Sequence, residues 1–384
     1  MIFGTGLMAR IVLPEFALVL VFGDTSMVRA AFTDAAFVTA GGLAGRLAQR
    51  ELAVIDANDL SKADLKPIGR AAVDAYARVY VLAVGEEGVK LSRRTGSMSV
   101  MDGFFVPEGE WLEVVFEPVS TDRRDEIGPF DIIGDVHGCA DELIELLGVL
   151  GYGVQLSGRG DRRRVDVVAP PGRRAFFVGD LVDRGPRSPD VMRIVMAMVR
   201  EGKALCVAGN HDVAFLRWLS GQHKALTHGL DKTADQFAAE SPQFRDSVRA
   251  FVDGLKAHLW VDGGRLAVAH AGVREGMIGR SSGKVRAFAL YGDTDPKGAA
   301  GGLPVRYHWA LDYAGPVAVV YGHTPVDEVG WVNNTLCIDT GCCFGGRLSA
   351  LRWPEREIVS VSAREVYAVK ATPFGHPPAR PKRD

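Results

Sequence analysis

The sequence has no long apolar run, no surplus of charge of either sign and few cysteines. Its most apolar early stretch, Ile11 to Phe22, is interrupted by Pro14 and Glu15 and is too short to cross a bilayer. A buried strand is the expectation there, and no membrane partner. Basic and acidic residues number 45 and 47, a formal net charge of -2, which removes any whole-chain electrostatic argument for nucleic-acid binding and leaves room only for a local basic groove. The five cysteines, Cys139, Cys206, Cys337, Cys342 and Cys343, form no CxxC pair and lack the density of a secreted scaffold. They read as reduced thiols of a cytoplasmic protein, and the adjacent Cys342 and Cys343 as buried thiols. No internal repeat is present.

What is there divides in two, because 384 residues exceed what one hydrophobic core usually serves. Residues 1–120 alternate apolar runs with helical stretches, and Ala17 to Phe22 and Leu52 to Ile55 are predicted strands of a small α/β unit. The charged segment from Thr121 to Glu126 and the Gly128-Pro129 pair mark a linker over 121–129. Residues 130–370 form the second domain, and the proline-rich, basic tail 371–384 is expected to be disordered. Within the second domain, strand-length apolar runs occur at Phe130 to Ile133, Ala175 to Val178, Leu205 to Ala208, Leu266 to Ala269 and Val317 to Tyr321. The helical spacing from Phe215 to about Leu259 predicts an insertion that walls or caps a site.

Each of those five runs is followed at once by a polar motif. These are Gly134-Asp135-Val136-His137-Gly138, Gly179-Asp180-Leu181-Val182-Asp183-Arg184-Gly185, Gly209-Asn210-His211-Asp212, His270-Ala271-Gly272 and Gly322-His323-Thr324-Pro325. In open α/β sheets the carboxyl ends of strands gather on one edge, so distant residues converge there on a ligand. Asp, His, Asp, Asn, His and His make a mixed oxygen and nitrogen set that suits divalent metals and lacks the thiolates of a structural zinc site. Two ions sharing one carboxylate fit that set and would serve phosphoryl chemistry. His211 is then the candidate proton donor to a leaving group, Asp183 its orienting partner and Arg184 the neutraliser of phosphate charge. Arg306 is either a second phosphate contact or a structural ion-pair partner. His223, His228, His258 and His308 read as ordinary polar residues.

At these motifs, over about residues 128 to 370, the sequence resembles the calcineurin-like metallophosphoesterases of the phosphoprotein phosphatase superfamily. The resemblance implies an α/β fold: a double β-sandwich flanked by helices. It also implies that Asp135 and His137 bind one metal, Asp180 bridges, and Asn210, His270 and His323 bind the other. His211 with Asp183 would be the acid pair and Arg184 the phosphate clamp. Three further segments, Asp122 to Asp131, Gly302 to Tyr307 and Trp353 to Val361, are similar to the phosphatase module of bacterial polynucleotide kinase-phosphatases. That likeness implies two divalent ions, manganese foremost with nickel, iron or zinc as alternatives, and hydrolysis of phosphomonoesters or 2′,3′-cyclic phosphates on RNA ends. Ile338 to Gly346 is shared with bacterial diadenosine tetraphosphatase-like enzymes, so that activity and protein serine/threonine phosphatase activity are the alternatives.

In the kinase-phosphatases a P-loop kinase precedes this module. Here Gly23-Asp24-Thr25-Ser26-Met27-Val28-Arg29-Ala30 stands in its place, with Val28, Arg29 and Ala30 where a phosphate loop needs glycine, lysine and a hydroxyl. The expectation is a small, truncated P-loop-kinase-like α/β domain that has lost its chemistry and could serve as a partner-binding module.

Overall fold

The computed structural model describes residues 8–33, 36–85, 100, 102–107, 111–117, 119–222, 226–295, 305–370 and 373–381. His223 and the segment Gly302 to Pro304 lie outside the described residues. Two units emerge: one holds the residues up to 122 together with 279–285, the other 123–278 and 286–384.

In the first unit, β1 (Met8–Pro14) pairs in parallel with β6 (Trp111–Glu117). The strands β2 (Leu18–Gly23), β3 (Ala53–Asp56), β4 (Val79–Val84) and β5 (Asp102–Val106) form an all-parallel sheet in the order β3-β2-β4-β5. Near-continuous apolar runs suit such a sheet because both of its faces are covered. Leu18, Leu20 and Phe22 enter one core cluster, while Val19 and Val21 enter another. After β2 the chain turns at Gly23, where a Cβ would come within 1.9 Å of the Val84 carbonyl oxygen, so no larger residue fits. Asp24 then caps the helix Thr25–Ala31, its carboxylate accepting from the Ser26 N–H at 2.8 Å.

The second unit is a sandwich of two five-stranded sheets. One has the order β11 (Ala204–Cys206), β10 (Arg174–Phe177), β7 (Phe130–Ile133), β19 (Arg347–Trp353) and β20 (Glu357–Ser362). The other runs β12 (His258–Val261), β13 (Leu266–Ala269), β16 (Ala318–Tyr321), β18 (Thr335–Cys337) and β17 (Trp331–Val332). Phe130, Ile132, Phe176, Val268, Val320 and Leu351 fill the space between them, all fully buried. Helices Ala140–Val149 and Ser188–Arg200 bury their apolar stripes in the other large core of this unit. In each sheet three adjacent strands are parallel, β7, β10 and β11 in one and β13, β16 and β18 in the other, so their carboxyl ends share an edge.

Two expectations need correction. The stretch after Phe215 is helical at Asn210–Leu219, Leu230–Ala238 and Pro242–Gly254, but its end, from His258, is strand β12. The tail is not disordered from 373 to 381: Phe374 packs edge-on against Phe344, and Arg380 pairs with Asp293. Its prolines read as disorder, yet the aromatic and charged residues between them find partners.

Candidate active site

The five motifs follow β7, β10, β11, β13 and β16, and their side chains meet at the shared edge. Asp180 is central. Its Oδ2 lies 3.5 Å from His137 Nε2 and 4.0 Å from His211 Nε2, and its Oδ1 lies 3.4 Å from His270 Nε2. His270 Nε2 is also 2.9 Å from Asn210 Oδ1 and 3.0 Å from His323 Nδ1. Asp135 joins them through its Oδ2, which accepts from the His323 N–H at 3.0 Å. The far ring nitrogens are fixed by the backbone: His137 Nδ1 donates to Val182 O at 2.8 Å and His270 Nδ1 to Val178 O at 3.1 Å. Both histidines therefore turn Nε2 inward as a lone pair, the arrangement a metal ligand needs.

The glycines beside these residues have a steric cause. A Cβ on Gly322 would stand 1.9 Å from Asp135 Oδ1, and one on Gly209 would stand 2.1 Å from Asp180 Oδ1. His137, Asp180, Asp183, Arg184 and His323 all have positive φ, between 45° and 75°, a conformation that non-glycine residues rarely adopt.

Electrostatics show what the cluster suits. Burial, reinforced by Asp339 and Asp180, raises the Asp135 pKa well above the carboxylate range. Burial also drives His137 and His323 well below the usual imidazole value. For Asp180 burial pushes upward, but His270, His211, His137 and His323 around it bring the net shift down. Asp135 Oδ1 and His323 Nε2 are buried with no hydrogen-bond partner among the described residues. Converging lone pairs, orphaned acceptors and neutral imidazoles fit divalent cations, and the oxygen and nitrogen donors are of the right kind. Ligand atoms of His137, Asp180 and His211, and of Asp180, His270 and His323, form two groups, each within 4.8 Å.

Beside the cluster, His211 Nδ1 lies 2.6 Å from Asp183 Oδ2, and its Nε2 lies 2.9 Å from Arg184 Nη2. Arg184 also contacts His137 Nε2. Arg306, on β15 (Val305–Tyr307), is exposed and lines the cleft next to His323, with no carboxylate paired to it among the described residues. The cleft, of about 460 Å³, is also lined by Lys232, Lys370, His228 and Phe344.

Two buried carboxylates were not singled out from the sequence. Asp212 accepts from the Leu181 and Gly209 N–H groups at 2.9 and 2.8 Å, tying two ligand loops together, and burial lifts its pKa to about 7. Asp339, past the end of β18, accepts from the Gly341 N–H at 2.9 Å, and burial lifts it to about 6. Position at a strand end was the available signal for Asp339; for Asp212 it was the acid three residues after the helix-capping Gly209.

A two-sheet sandwich with converging strand ends and candidate His/Asp metal-ligand groups at them is the architecture of a metal-dependent phosphoester hydrolase. Residues 128–350 match the family model described as calcineurin-like phosphoesterase. The chain belongs to that family, whose members use a dinuclear metal centre. It is 42% identical over 251 residues to the bis(5′-nucleosyl)-tetraphosphatase PrpE (asymmetrical) of Anoxybacillus flavithermus, covering 64% of this chain and 99% of that protein. The protein of the same name from Halalkalibacterium halodurans is 43% identical over 240 residues, covering 62% and 94%. A solved protein serine/threonine phosphatase from Saccharomyces cerevisiae is 13% identical, with 68% and 87% covered and a TM-score of 0.43. No described helix is long and apolar enough to cross a membrane.

Proposed function

We propose that the chain hydrolyses dinucleoside tetraphosphates asymmetrically, giving a nucleoside triphosphate and a nucleoside monophosphate. The observation that carries this reading is the cleft beside the ligand cluster, where Arg184, Arg306, Lys232 and Lys370 are opposed by Asp231 as the one lining carboxylate among the described residues. A single phosphomonoester needs little beyond the metals and one guanidinium, whereas a tetraphosphate chain extends its charge along such a row of cations. The activity named for the relatives agrees, and the RNA-end expectation yields to it. Relationship to the polynucleotide kinase-phosphatases rests on short segments alone, one of them partly outside the described residues.

Asp135, His137 and Asp180 would hold one ion, and Asp180, Asn210, His270 and His323 the other, manganese being the proposed metal. Bound there, the ions supply an activated water and offset phosphoryl charge. Arg184 leaves His137 Nε2 and His211 Nε2 and donates its two terminal amino groups to phosphate oxygens. Asp183 holds the His211 imidazole by Nδ1, so Nε2 can carry the proton for the departing oxygen. Thiol chemistry has no part here, since all five cysteines are buried.

Steady-state kcat/KM on diadenosine tetraphosphate, 2′,3′-cyclic AMP, a ribonucleotide 2′-phosphate and a phosphoserine peptide tests the proposal. The expected outcome is a preference of at least tenfold for the tetraphosphate, about 1.4 kcal/mol in transition-state binding. A comparable preference for the cyclic nucleotide would restore the RNA-end reading.

We also propose that the first unit is a kinase-like remnant without phosphoryl transfer. A phosphate loop presents bare N–H groups at a helix start. Here the Asp24 carboxylate already accepts from that start and would repel a phosphate.

A further inference from the structure

Residues 373–381 run along the second unit beside the cleft. Gly375 N–H donates to Pro325 O and His308 N–H to Pro378 O, each at 2.8 Å, and Arg380 Nε donates to Asp293 Oδ2 at 2.9 Å. Between these anchors the His376 ring lies flat on His308, with centroids 4.1 Å apart and planes at 7°. The surroundings are aromatic, with Tyr307, Trp309 and Tyr321 around the stack. His308 is only 7% exposed and its Nε2 has no hydrogen-bond partner among the described residues. A buried ring nitrogen left unpaired is costly, and an imidazole stacked on it supplies a flat face without meeting that need.

This slot is continuous in its lining with the phosphate cleft: Arg306 and His323 border both. With His376 in place the remaining cavity is about 20 Å³, room for one water. We propose that His308 is the stacking platform for a nucleobase of the bound substrate, with Arg306 at its phosphate, and that His376 occupies this place until the substrate displaces it. A purine covers the face of His308 more fully than an imidazole does. The proposal rests on the dinucleotide reading for the identity of the base-bearing ligand. It also gives His308 a role that its reading as an ordinary polar residue did not.

Calorimetric binding of AMP and of ribose 5-phosphate to full-length, metal-loaded protein separates base recognition from phosphate recognition. Wild type should bind AMP more tightly than ribose 5-phosphate. His376→Ala should widen that gap by about tenfold, because competition for the slot is removed, corresponding to about 1.4 kcal/mol. His308→Ala should abolish the gap and His308→Phe, which keeps a flat face, should retain most of it. Equal binding of the two ligands in the wild type, or a gap unmoved by His376→Ala, would overturn the proposal. Because neither ligand is turned over as a tetraphosphate, absence of tetraphosphatase activity sinks the functional reading alone. Tetraphosphate turnover with no AMP preference sinks only the base slot.

Discussion

His211 illustrates how a side chain's surroundings set its expected contribution. Its Nδ1 is held by Asp183 and its Nε2 faces the cleft, so its use depends on how badly the leaving oxygen needs a proton. His211→Ala should cost roughly tenfold to a hundredfold in kcat on a ribose phosphate, and much less on p-nitrophenyl phosphate or a tetraphosphate, whose leaving groups are acidic. Equal losses across the three would remove His211 from proton transfer. His258 gives a stability prediction of the opposite kind. Burial lowers its pKa to about 4, against about 6.5 unfolded, so the folded state resists a proton that the unfolded chain accepts. Its destabilising effect is absent above the unfolded value, grows as pH falls through 6.5 and is complete below 4. Urea unfolding at pH 7 and pH 5 should show His258→Gln relieving about 2 kcal/mol of the acid-induced loss. No difference between variant and wild type in that pH dependence would refute it. The candidate ligands were legible in the sequence because all but His270 stand directly beside a glycine, and Gly209 and Gly322 let the backbone crowd the carboxylates of Asp180 and Asp135. Asp212 and Asp339 were not, since carboxylates serving backbone N–H groups look like any polar loop residue until the loops meet.

Elements with continuous apolar runs were legible too. β7 and β13 lie where their runs predict, because strands buried on both faces need no alternation to be seen. The hairpin of β8 (Gly153–Ser157) and β9 (Arg164–Val168) escaped notice, for its strands are half exposed and β9 carries Arg164 and Asp166. The helical insertion was expected as a wall, and it also acts as a brace. Thr233 Oγ1, on Leu230–Ala238, accepts from the Asp183 N–H at 3.0 Å, and Gln236 Nε2 donates to Gly185 O at 3.1 Å. These bonds hold the loop that carries Arg184. Thr233→Val should therefore lower kcat about threefold to tenfold while leaving metal content unchanged, since the loss of one buried hydrogen bond costs about 1–2 kcal/mol. Unaltered kinetics would show that the loop keeps its shape without the brace.

For the whole molecule, the sequence divided the chain near residue 120, and nothing in its composition announced that 279–285 would belong with the first unit. Membership of that kind is set by three-dimensional contact rather than by local pattern. The first unit should show no transfer from radiolabelled ATP to a 5′-hydroxyl RNA in the full-length protein. Label incorporated into RNA, and lost on substituting Asp24, would contradict its reading as a remnant.

The convergence of strand ends from both sheets has a consequence for how the protein matures. Any stretch of chain that carries the complete candidate ligand set must reach from Asp135, just past β7 of one sheet, to His323, just past β16 of the other. Contacts so far apart in sequence form late in folding. Tight metal uptake should thus act as a quality mark: chains that capture metal are those whose two sheets have already come together, and products misassembled or truncated ahead of His323 remain unloaded.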